Sequence, residues 1–205
     1  AYLFAGPRGT GKTTVAKLLA KALNCTGEYP PCDICSNCKA ISVGEHPDVI
    51  EIDAASNNGV DEVRDLIDKV KYAPINGKYK VYIIDEVHMM STGAFNALLK
   101  TLEEPPAHIV FVLATTEPHK ILPTIISRCQ RFDFKKVEDT DIVSRLEHVL
   151  KSENKDYQLP ALELIAKLAE GGMRDALSIL EQCLAYNNVL SVDSVNMVYG
   201  LLSMD

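Results

Sequence analysis

Short apolar runs alternate with segments of helical periodicity along the first two-thirds of the chain. Four runs have the length and apolar or β-branched content of buried strands, at 1–5, 48–53, 80–86 and 108–116. Segments with apolar residues at helical spacing lie between them, at 13–23, 60–70 and 91–102. Because strands that alternate with helices form parallel sheets covered on both faces, the pattern predicts an α/β fold.

The pattern changes near residue 137. No strand signal follows, and helical periodicity continues at 139–152, 160–169, 173–186 and 191–200. The sequence therefore predicts two domains, an α/β domain over 1–137 and a small helical domain over 138–205.

A glycine-rich loop, GPRGTGKTT at 6–14, joins the first predicted strand to the first predicted helix. Its spacing matches G-x-x-x-x-G-K-[ST], the P-loop pattern, in the strand–loop–helix context that gives the pattern meaning. Backbone N–H groups and the helix N-terminus then bind phosphate, the lysine meets the β- and γ-phosphates, and the following hydroxyl binds Mg²⁺. A glycine-rich turn that only caps the helix is the alternative. The predicted nucleotide-binding residues are Gly6, Pro7, Arg8, Gly9, Thr10, Gly11, Lys12, Thr13 and Thr14.

Polar residues end the two later strands. Asp85 and Glu86 end the third, where one acid of a P-loop fold can hold Mg²⁺ and its neighbour can activate water for attack on the γ-phosphate. Solvated carboxylates at a strand end are the alternative. Thr115 and Thr116 end the fourth strand, beside the expected γ-phosphate, although threonine is also common in strands. Asp85 and Glu86 together predict hydrolysis rather than binding alone.

Two arginines stand out by position. Arg128 follows a short turn after the last predicted strand, where a guanidinium could reach the phosphate of a neighbouring subunit, and a surface ion pair is the alternative. Arg174 opens a predicted helix, where a cation opposes the helix dipole. A bound phosphate would explain Arg174, as would an ion pair with Asp175 or Glu170.

Four of the six cysteines fall within fourteen residues, with the spacing C-x6-C-x2-C-x2-C. In a cytosolic chain such a cluster favours a metal over disulfides, and four thiolates suit tetrahedral Zn²⁺ with no open position for catalysis. A bacterial iron–sulfur run would need a further cysteine at position 42, which is serine, and unrelated thiols are the remaining alternative. The predicted structural zinc ligands are Cys25, Cys32, Cys35 and Cys38.

Composition narrows the functional classes. With 205 residues, 47% hydrophobic and 24% charged, the chain has ordinary globular content. Its net charge of −7 argues against wholesale wrapping of a nucleic-acid backbone, although a local basic surface within an assembly stays open. Neither a membrane span nor a signal peptide is evident, so we expect a cytoplasmic protein without a membrane partner.

Several motifs together resemble one family. The chain is similar throughout to the gamma/tau family of clamp-loader ATPases of bacterial DNA polymerase III, which are AAA+ proteins, and the cysteine insert together with SRC makes the resemblance specific. The motifs, besides the four-cysteine insert, are GPRGTGKT at 6–13, VYIIDEVH at 81–88, LLKTLEEPP at 98–106, ATTEP at 114–118, SRC at 127–129 and GMRDAL at 172–177.

The resemblance implies an AAA+ sheet with a zinc-binding insert, a helical lid and a clamp-loading activity. ATP binding between adjacent subunits would close a pentameric collar that opens the sliding clamp, and primer–template DNA would trigger hydrolysis. The implied partners are the delta and delta-prime subunits, further gamma/tau copies, the clamp and that DNA. The implied roles are action in cis for Lys12, Thr13, Asp85 and Glu86, sensor 1 for Thr116, an arginine finger in trans for Arg128, and sensor 2 for Arg174.

Two departures from the family suggest a fragment. The family has a segment before the first strand that contributes to adenine binding, and a helical collar domain that would follow residue 205. Both are expected but not present in the sequence. A non-hydrolysing scaffold of the same fold is the alternative function, against which Lys12, Thr13 and Glu86 argue. A small-molecule P-loop kinase would need an acceptor pocket and would leave Arg128 and the helical domain unexplained.

Overall fold

The computed structural model describes residues 1–57, 59–186 and 188–199. Its contacts divide the chain into two compact units. The first comprises Ala1–Gly6 and Lys12–Phe134, and the second comprises Pro7–Gly11 and the described residues from Lys135 onward. The predicted boundary between 137 and 138 stays a prediction, and residues 200–205, which end the predicted last helix and helical domain, lie outside the described residues.

The first unit is built on a parallel sheet of five strands in the order β2-β3-β4-β1-β5. The register pairs Ala5 with Thr115 and Asp53 with Asp85, so the carboxyl ends of β1, β3 and β4 meet at one edge. The strands are β1 (Tyr2–Ala5), β2 (Val49–Asp53), β3 (Lys80–Asp85), β4 (Ile109–Thr115) and β5 (Gln130–Asp133).

The fifth strand was not predicted. All four residues of β5 are exposed, and β5 lies at the edge of the described sheet beside β1, so it has no apolar run that the sequence could reveal. The prediction that Arg128 follows the last strand is therefore wrong: Arg128 lies in the connection between β4 and β5.

Helices cover both faces of this sheet, which confirms the predicted α/β class. Neighbouring residues of one strand point to opposite faces, so Ile84 packs in one core cluster with Leu66 and Leu98, while Ile83 packs in the other with Ala16. The helices of the unit are α1 (Lys12–Asn24), α2 (Ser36–Val43), α3 (Val60–Val70), α4 (Thr92–Glu103) and α5 (Pro123–Ile126), with short 3₁₀ helices at Val87–Met89 and Pro118–Lys120.

The second unit contains the predicted helices around a core of its own. Ile142, Leu146 and Leu150 recur every four residues on one helix and are fully buried, and they pack in one cluster with Ile165 and Leu180. The helices are α6 (Asp139–Ser152), α7 (Leu159–Leu168), α8 (Met173–Tyr186) and α9 (Val192–Tyr199). The helical domain that the sequence predicted is thereby confirmed.

Candidate nucleotide-binding and metal sites

The glycine-rich loop leaves β1 in a conformation that requires glycine. A Cβ at Gly6 would lie 2.2 Å from the carbonyl oxygen of Phe134, and Gly9 and Gly11 adopt φ values of +74° and +93°. Lys12 is buried, and its Nζ donates to the carbonyl oxygen of Gly6 at 2.8 Å. The ammonium of Lys12 is thus held at the edge of the sheet where β1 ends.

Thr13 and Asp85 meet at the same edge. The Oγ1 of Thr13 donates to Oδ2 of Asp85 at 2.7 Å, and the other carboxylate oxygen, Oδ1, accepts from the backbone N–H of Glu86 at 2.9 Å. The structure therefore brings together the hydroxyl and the carboxylate that the sequence assigned to Mg²⁺. Hard oxygen ligands of this kind suit that ion.

Glu86 turns away from Asp85 toward the end of β4. Its backbone is left-handed, with φ 47° and ψ 43°, which is uncommon for a residue with a side chain. Its Oε2 accepts from the Oγ1 of Thr116 at 3.0 Å. The predicted water-activating acid and the predicted sensor are therefore in direct contact.

Thr115 and Thr116 have different surroundings. Thr115 is fully buried, and its Oγ1 lies 2.9 Å from Nδ1 of His88 and accepts from the backbone N–H of Glu117 at 3.0 Å. Thr116 is half-buried and is the one of the two that contacts Glu86. Of the pair at the strand end, Thr116 is the one placed to act at the site.

Sequence reasoning missed two members of this cluster, His88 and Glu117. The His88 side chain is 5% exposed, with Nδ1 3.3 Å from Glu86 Oε2 and Nε2 3.2 Å from Glu117 Oε2. A hydrogen bond from Lys120 and the charge of Lys120, with smaller electrostatic effects of His88 and His119, lower the pKa of the Glu117 carboxyl. The only sequence signal was a histidine two residues after the acid pair, which by itself predicts no role.

Arg128 has partners within its own unit. It donates through a terminal guanidinium nitrogen to the carbonyl oxygen of Thr124 at 2.6 Å and forms an ion pair with Glu103 at the end of α4. The surface ion pair that the sequence left open is therefore present. None of the contacts described for Arg128 is with Lys12, Asp85 or Glu86.

Arg174 lies beside a residue of the glycine-rich loop that belongs to the same unit. Its backbone N–H donates to the carbonyl oxygen of Gly9 at 3.4 Å, and a Cβ at Gly9 would lie 3.5 Å from the Cβ of Arg174. Within the described ranges, no ion pair joins Arg174 to Glu170 or Asp175. In the rest of the loop, Thr10 Oγ1 donates to the carbonyl oxygen of Pro7 at 2.8 Å, and Arg8 and Thr14 are exposed.

The four clustered cysteines converge between α1 and α2. Their Sγ atoms all lie within 4.8 Å of one another, and none forms a disulfide. Tetrahedral zinc with bonds of about 2.3 Å places its sulfurs about 3.8 Å apart, so the four thiols fit that ion with small adjustment. Backbone N–H groups point at the sulfurs: Cys25 Sγ accepts from Gly27 and Cys32, and Cys35 Sγ accepts from Cys38.

The thiols differ in how readily they ionise. Backbone N–H groups of Thr26 and Cys38 lower the pKa of Cys35 to about 5, and those of Cys32 and Gly27 lower the pKa of Cys25. Burial raises the pKa of Cys38 to about 12. A buried fourth thiol is expected to ionise only beside a cation, so the donor set is suited to zinc.

Two family models cover most of the chain. Residues 1–138 match the model described as DNA polymerase III, delta subunit, and residues 141–189 match that of the DNA polymerase III clamp loader subunit, ATPase lid domain.

Among the described residues, no helix is both long and apolar enough to span a membrane.

Curated relatives agree with these models. DNA polymerase III subunit tau of Bacillus subtilis is 59% identical over 99% of this chain, which covers 37% of that protein. Subunit tau of Escherichia coli is 51% identical over 100% of this chain and 32% of that protein. Subunit gamma of Buchnera aphidicola subsp. Baizongia pistaciae is 48% identical over 90% of this chain and 50% of that protein. The chain thus spans between 32% and 50% of the length of these relatives.

Solved structures share the fold. Thermotoga maritima RuvB, a Holliday junction branch migration motor, matches with a TM-score of 0.68 at 17% identity, over 100% of this chain and 62% of that chain. At this identity the likeness shows an AAA+ fold alone. The chain belongs to the DNA polymerase III family whose model matches residues 1–138, with a clamp-loader ATPase lid domain after it, and its curated relatives are tau and gamma subunits of that polymerase.

Proposed function

We propose that this chain is the ATP-hydrolysing part of a clamp-loader subunit that places a sliding clamp on primed DNA. The observation that carries the proposal is the convergence of Thr13, Asp85 and Glu86 at one edge of the sheet. Thr13 Oγ1 is bonded to Asp85, and the next residue, Glu86, directs its carboxylate to Thr116. Binding alone would not need the second acid.

The P-loop side chains bind the triphosphate in this proposal. The Lys12 ammonium, now donating to the carbonyl oxygen of Gly6, would turn to the β- and γ-phosphates and offset their charge. Thr13 and Asp85 would hold Mg²⁺, which, when bound, neutralises phosphate charge as the terminal phosphate leaves. Backbone N–H groups of residues 6–14 would contact the remaining phosphate oxygens.

Glu86 would accept a proton from the attacking water. Its carboxylate is held by Thr116, whose hydroxyl can instead donate to the γ-phosphate when nucleotide is bound. Thr116 would then act as a sensor, because its hydroxyl would release Glu86 only when the terminal phosphate is present to accept the hydrogen bond.

The two arginines would complete the site. Arg128 would reach the γ-phosphate bound by a neighbouring subunit, exchanging the Glu103 carboxylate for a phosphate oxygen of similar charge. Arg174 would contact the nucleotide of its own chain. Its proximity to Gly9 and the lack of a described ion pair with Asp175 or Glu170 support that role.

The assembly and the zinc ion belong to the same proposal. The partners would be other clamp-loader subunits (delta, delta-prime and further gamma/tau copies), the sliding clamp and primer–template DNA, within the DNA polymerase III holoenzyme in the cytoplasm. Relatives named as tau and gamma subunits support this. The cysteine cluster would hold Zn²⁺ as a structural ion, since four protein ligands leave no position for a reacting water.

A comparison of two lysines on α1 tests the proposal. In the full-length subunit, assembled with its partners, Lys12→Ala should abolish ATP binding and clamp loading. Lys17→Ala should retain both, because the ion pair described for Lys17, with Glu51, is partly exposed to solvent. ATP affinity and DNA-stimulated hydrolysis are the measurements. ATP binding that survives Lys12→Ala would overturn the assignment of the loop, while normal binding without any hydrolysis in the wild-type complex would favour the non-hydrolysing scaffold.

A further inference from the structure

His88 lies buried between two carboxylates. Its Nε2 is 3.2 Å from Glu117 Oε2, and its Nδ1 is 3.3 Å from Glu86 Oε2. An ionised carboxylate can only accept a hydrogen bond, so each ring nitrogen that bonds to a carboxylate does so as an N–H donor. The imidazole thus contacts Glu117 on one side and the proposed catalytic acid, Glu86, on the other.

A closed set of contacts fixes the orientation of the imidazole. Thr115 Oγ1 lies 2.9 Å from His88 Nδ1 and also accepts from the backbone N–H of Glu117 at 3.0 Å. Glu117 in turn is held by Lys120, whose Nζ lies 2.8 Å from the same carboxylate oxygen that His88 contacts. His88 therefore cannot rotate without breaking contacts to residues at the end of β4.

Glu86 needs such support more than an ordinary surface acid does. A left-handed backbone is strained for a residue with a Cβ, so the position of Glu86 depends on the residues that surround it. Among the residues that the structure describes, two side chains contact its carboxylate, the hydroxyl of Thr116 at 3.0 Å and the ring of His88 at 3.3 Å. When Thr116 turns to a terminal phosphate, His88 is the contact that remains.

We propose that His88 is a positioning residue for ATP hydrolysis, keeping the Glu86 carboxylate aimed at the attacking water after Thr116 has turned to the nucleotide. The inference rests on the proposed function. His88 touches neither water nor phosphate in this role. It acts through Glu86, and Glu117 acts through His88 by holding the ring.

Two amide substitutions separate the two sides of the ring. The Asn side chain of His88→Asn places its amide nitrogen near the position of Nδ1 and can restore the contact with Glu86, but it is too short to reach Glu117. The Gln side chain of His88→Gln extends its amide toward Glu117 and leaves the Nδ1 position empty. Steady-state hydrolysis by the full-length complex, with kcat and KM measured separately, and equilibrium binding of ADP are the readouts.

The expected order of kcat is wild type, His88→Asn, His88→Gln and His88→Ala. His88→Ala should lower kcat on the order of 10- to 100-fold, because a misaimed base loses alignment and not binding, and ADP affinity should change less than about threefold. His119→Ala is the matched control: His119 is 73% exposed and 3.9 Å from the same Glu117, and its loss should leave kcat within about twofold of wild type.

A purely structural role would give a different result. The thermal midpoint would then fall for all three His88 variants while kcat per folded complex stayed at the wild-type value, and that outcome would overturn the inference. If His88→Ala does not fold, three other variants still test the inference: His88→Asn, His88→Gln and Glu117→Gln. Wild-type kcat in all three would overturn it. A higher kcat in His88→Asn than in His88→Gln, with a partial loss of kcat in Glu117→Gln, would support it.

Lys12→Ala in the same assembly distinguishes failure of the inference from failure of the proposed function. Hydrolysis that survives Lys12→Ala means that the P-loop site is not the source of the activity, and both proposals fall. Hydrolysis that is lost in Lys12→Ala and normal in His88→Ala leaves the proposed function standing and removes only the role of His88.

Discussion

Thr13 and Asp85 are 72 positions apart in the chain, yet the hydroxyl of one donates to the carboxylate of the other at 2.7 Å. The parallel register of β1, β4 and β3 produces this contact, because it places the start of α1 and the end of β3 at one edge of the sheet. Two sequence motifs thereby become one candidate Mg²⁺ site, and Glu86, the next residue, is placed beside it.

Glu86→Gln should bind ATP and hydrolyse it slowly. An amide keeps the size of the side chain and can still accept from Thr116, but it cannot take a proton from water, so we expect hydrolysis to fall at least about 100-fold. Single-turnover hydrolysis and ATP affinity of the full-length complex measure the two effects. The exposed Glu163 provides the control Glu163→Gln, which should behave as wild type. Wild-type turnover by Glu86→Gln would exclude Glu86 as the base.

Arg128→Ala should leave ATP binding by its own subunit intact and suppress hydrolysis at the neighbouring site. Loss of an arginine finger costs on the order of 10³ in rate, whereas an exposed ion pair contributes roughly 0–1 kcal/mol of stability. Glu103→Gln, which removes the negative charge paired with Arg128, should therefore keep most of the activity.

Mixing variant subunits tests whether Arg128 acts in trans. Complexes that contain both Arg128→Ala and Lys12→Ala subunits should regain turnover at some interfaces, since each supplies what the other lacks. DNA-stimulated ATPase activity across mixing ratios is the measurement, and no recovery at any ratio would count against action across an interface.

Cys35→Ser should release zinc and lower the thermal midpoint of the first unit. A four-thiolate shell contributes to folding only when it is complete, and Cys35 also accepts from Cys38 at the start of α2. Metal analysis of the purified wild type should find one zinc per chain. Cys129→Ser, a thiol outside the cluster, should keep it. Iron, or no metal, in the wild type would contradict the zinc assignment.

Asp48→Asn should destabilise the first unit strongly at neutral pH. The carboxylate is fully buried; burial alone would raise its pKa, but backbone N–H groups of Ile75, Asn76 and Gly77, each 2.7 Å away, outweigh burial and lower it. An amide offers one acceptor oxygen for three donors, so we expect a loss of about 2–3 kcal/mol.

The effect of Asp48→Asn should depend on pH. The folded pKa lies below the unfolded value of about 3.9, so the carboxylate's contribution is fully present above that value and is lost as pH falls through the folded pKa. Urea unfolding of wild type, Asp48→Asn and the exposed control Asp68→Asn between pH 7 and pH 3 measures it. The difference in the free energy of unfolding between wild type and Asp48→Asn should shrink toward pH 3. A constant difference would show that the three N–H groups do not stabilise the charge.

Local patterns in the sequence were enough for most of the elements. Four strands, the helices α1, α3 and α4 of the first unit and the helices of the second unit follow from apolar periodicity, because each of these elements buries one face or both. The exposed edge strand β5 was not predicted, because its pairing with β1 requires no apolar pattern in its own residues. The short helix α2 escaped because its eight residues, Ser36–Val43, bury only three side chains.

By itself, then, the sequence determined the two motifs that carry phosphate chemistry, the cysteine spacing that suits zinc and the alternation that produces a parallel sheet. Each of these is written within a few neighbouring residues. Only the tertiary structure decided that Thr116, and not Thr115, contacts Glu86, that His88 lies between Glu86 and Glu117, and that Arg128 has Glu103 as a partner. These relationships join residues from different elements, and strand register and packing, which sum contributions from the whole unit, set the distances between them.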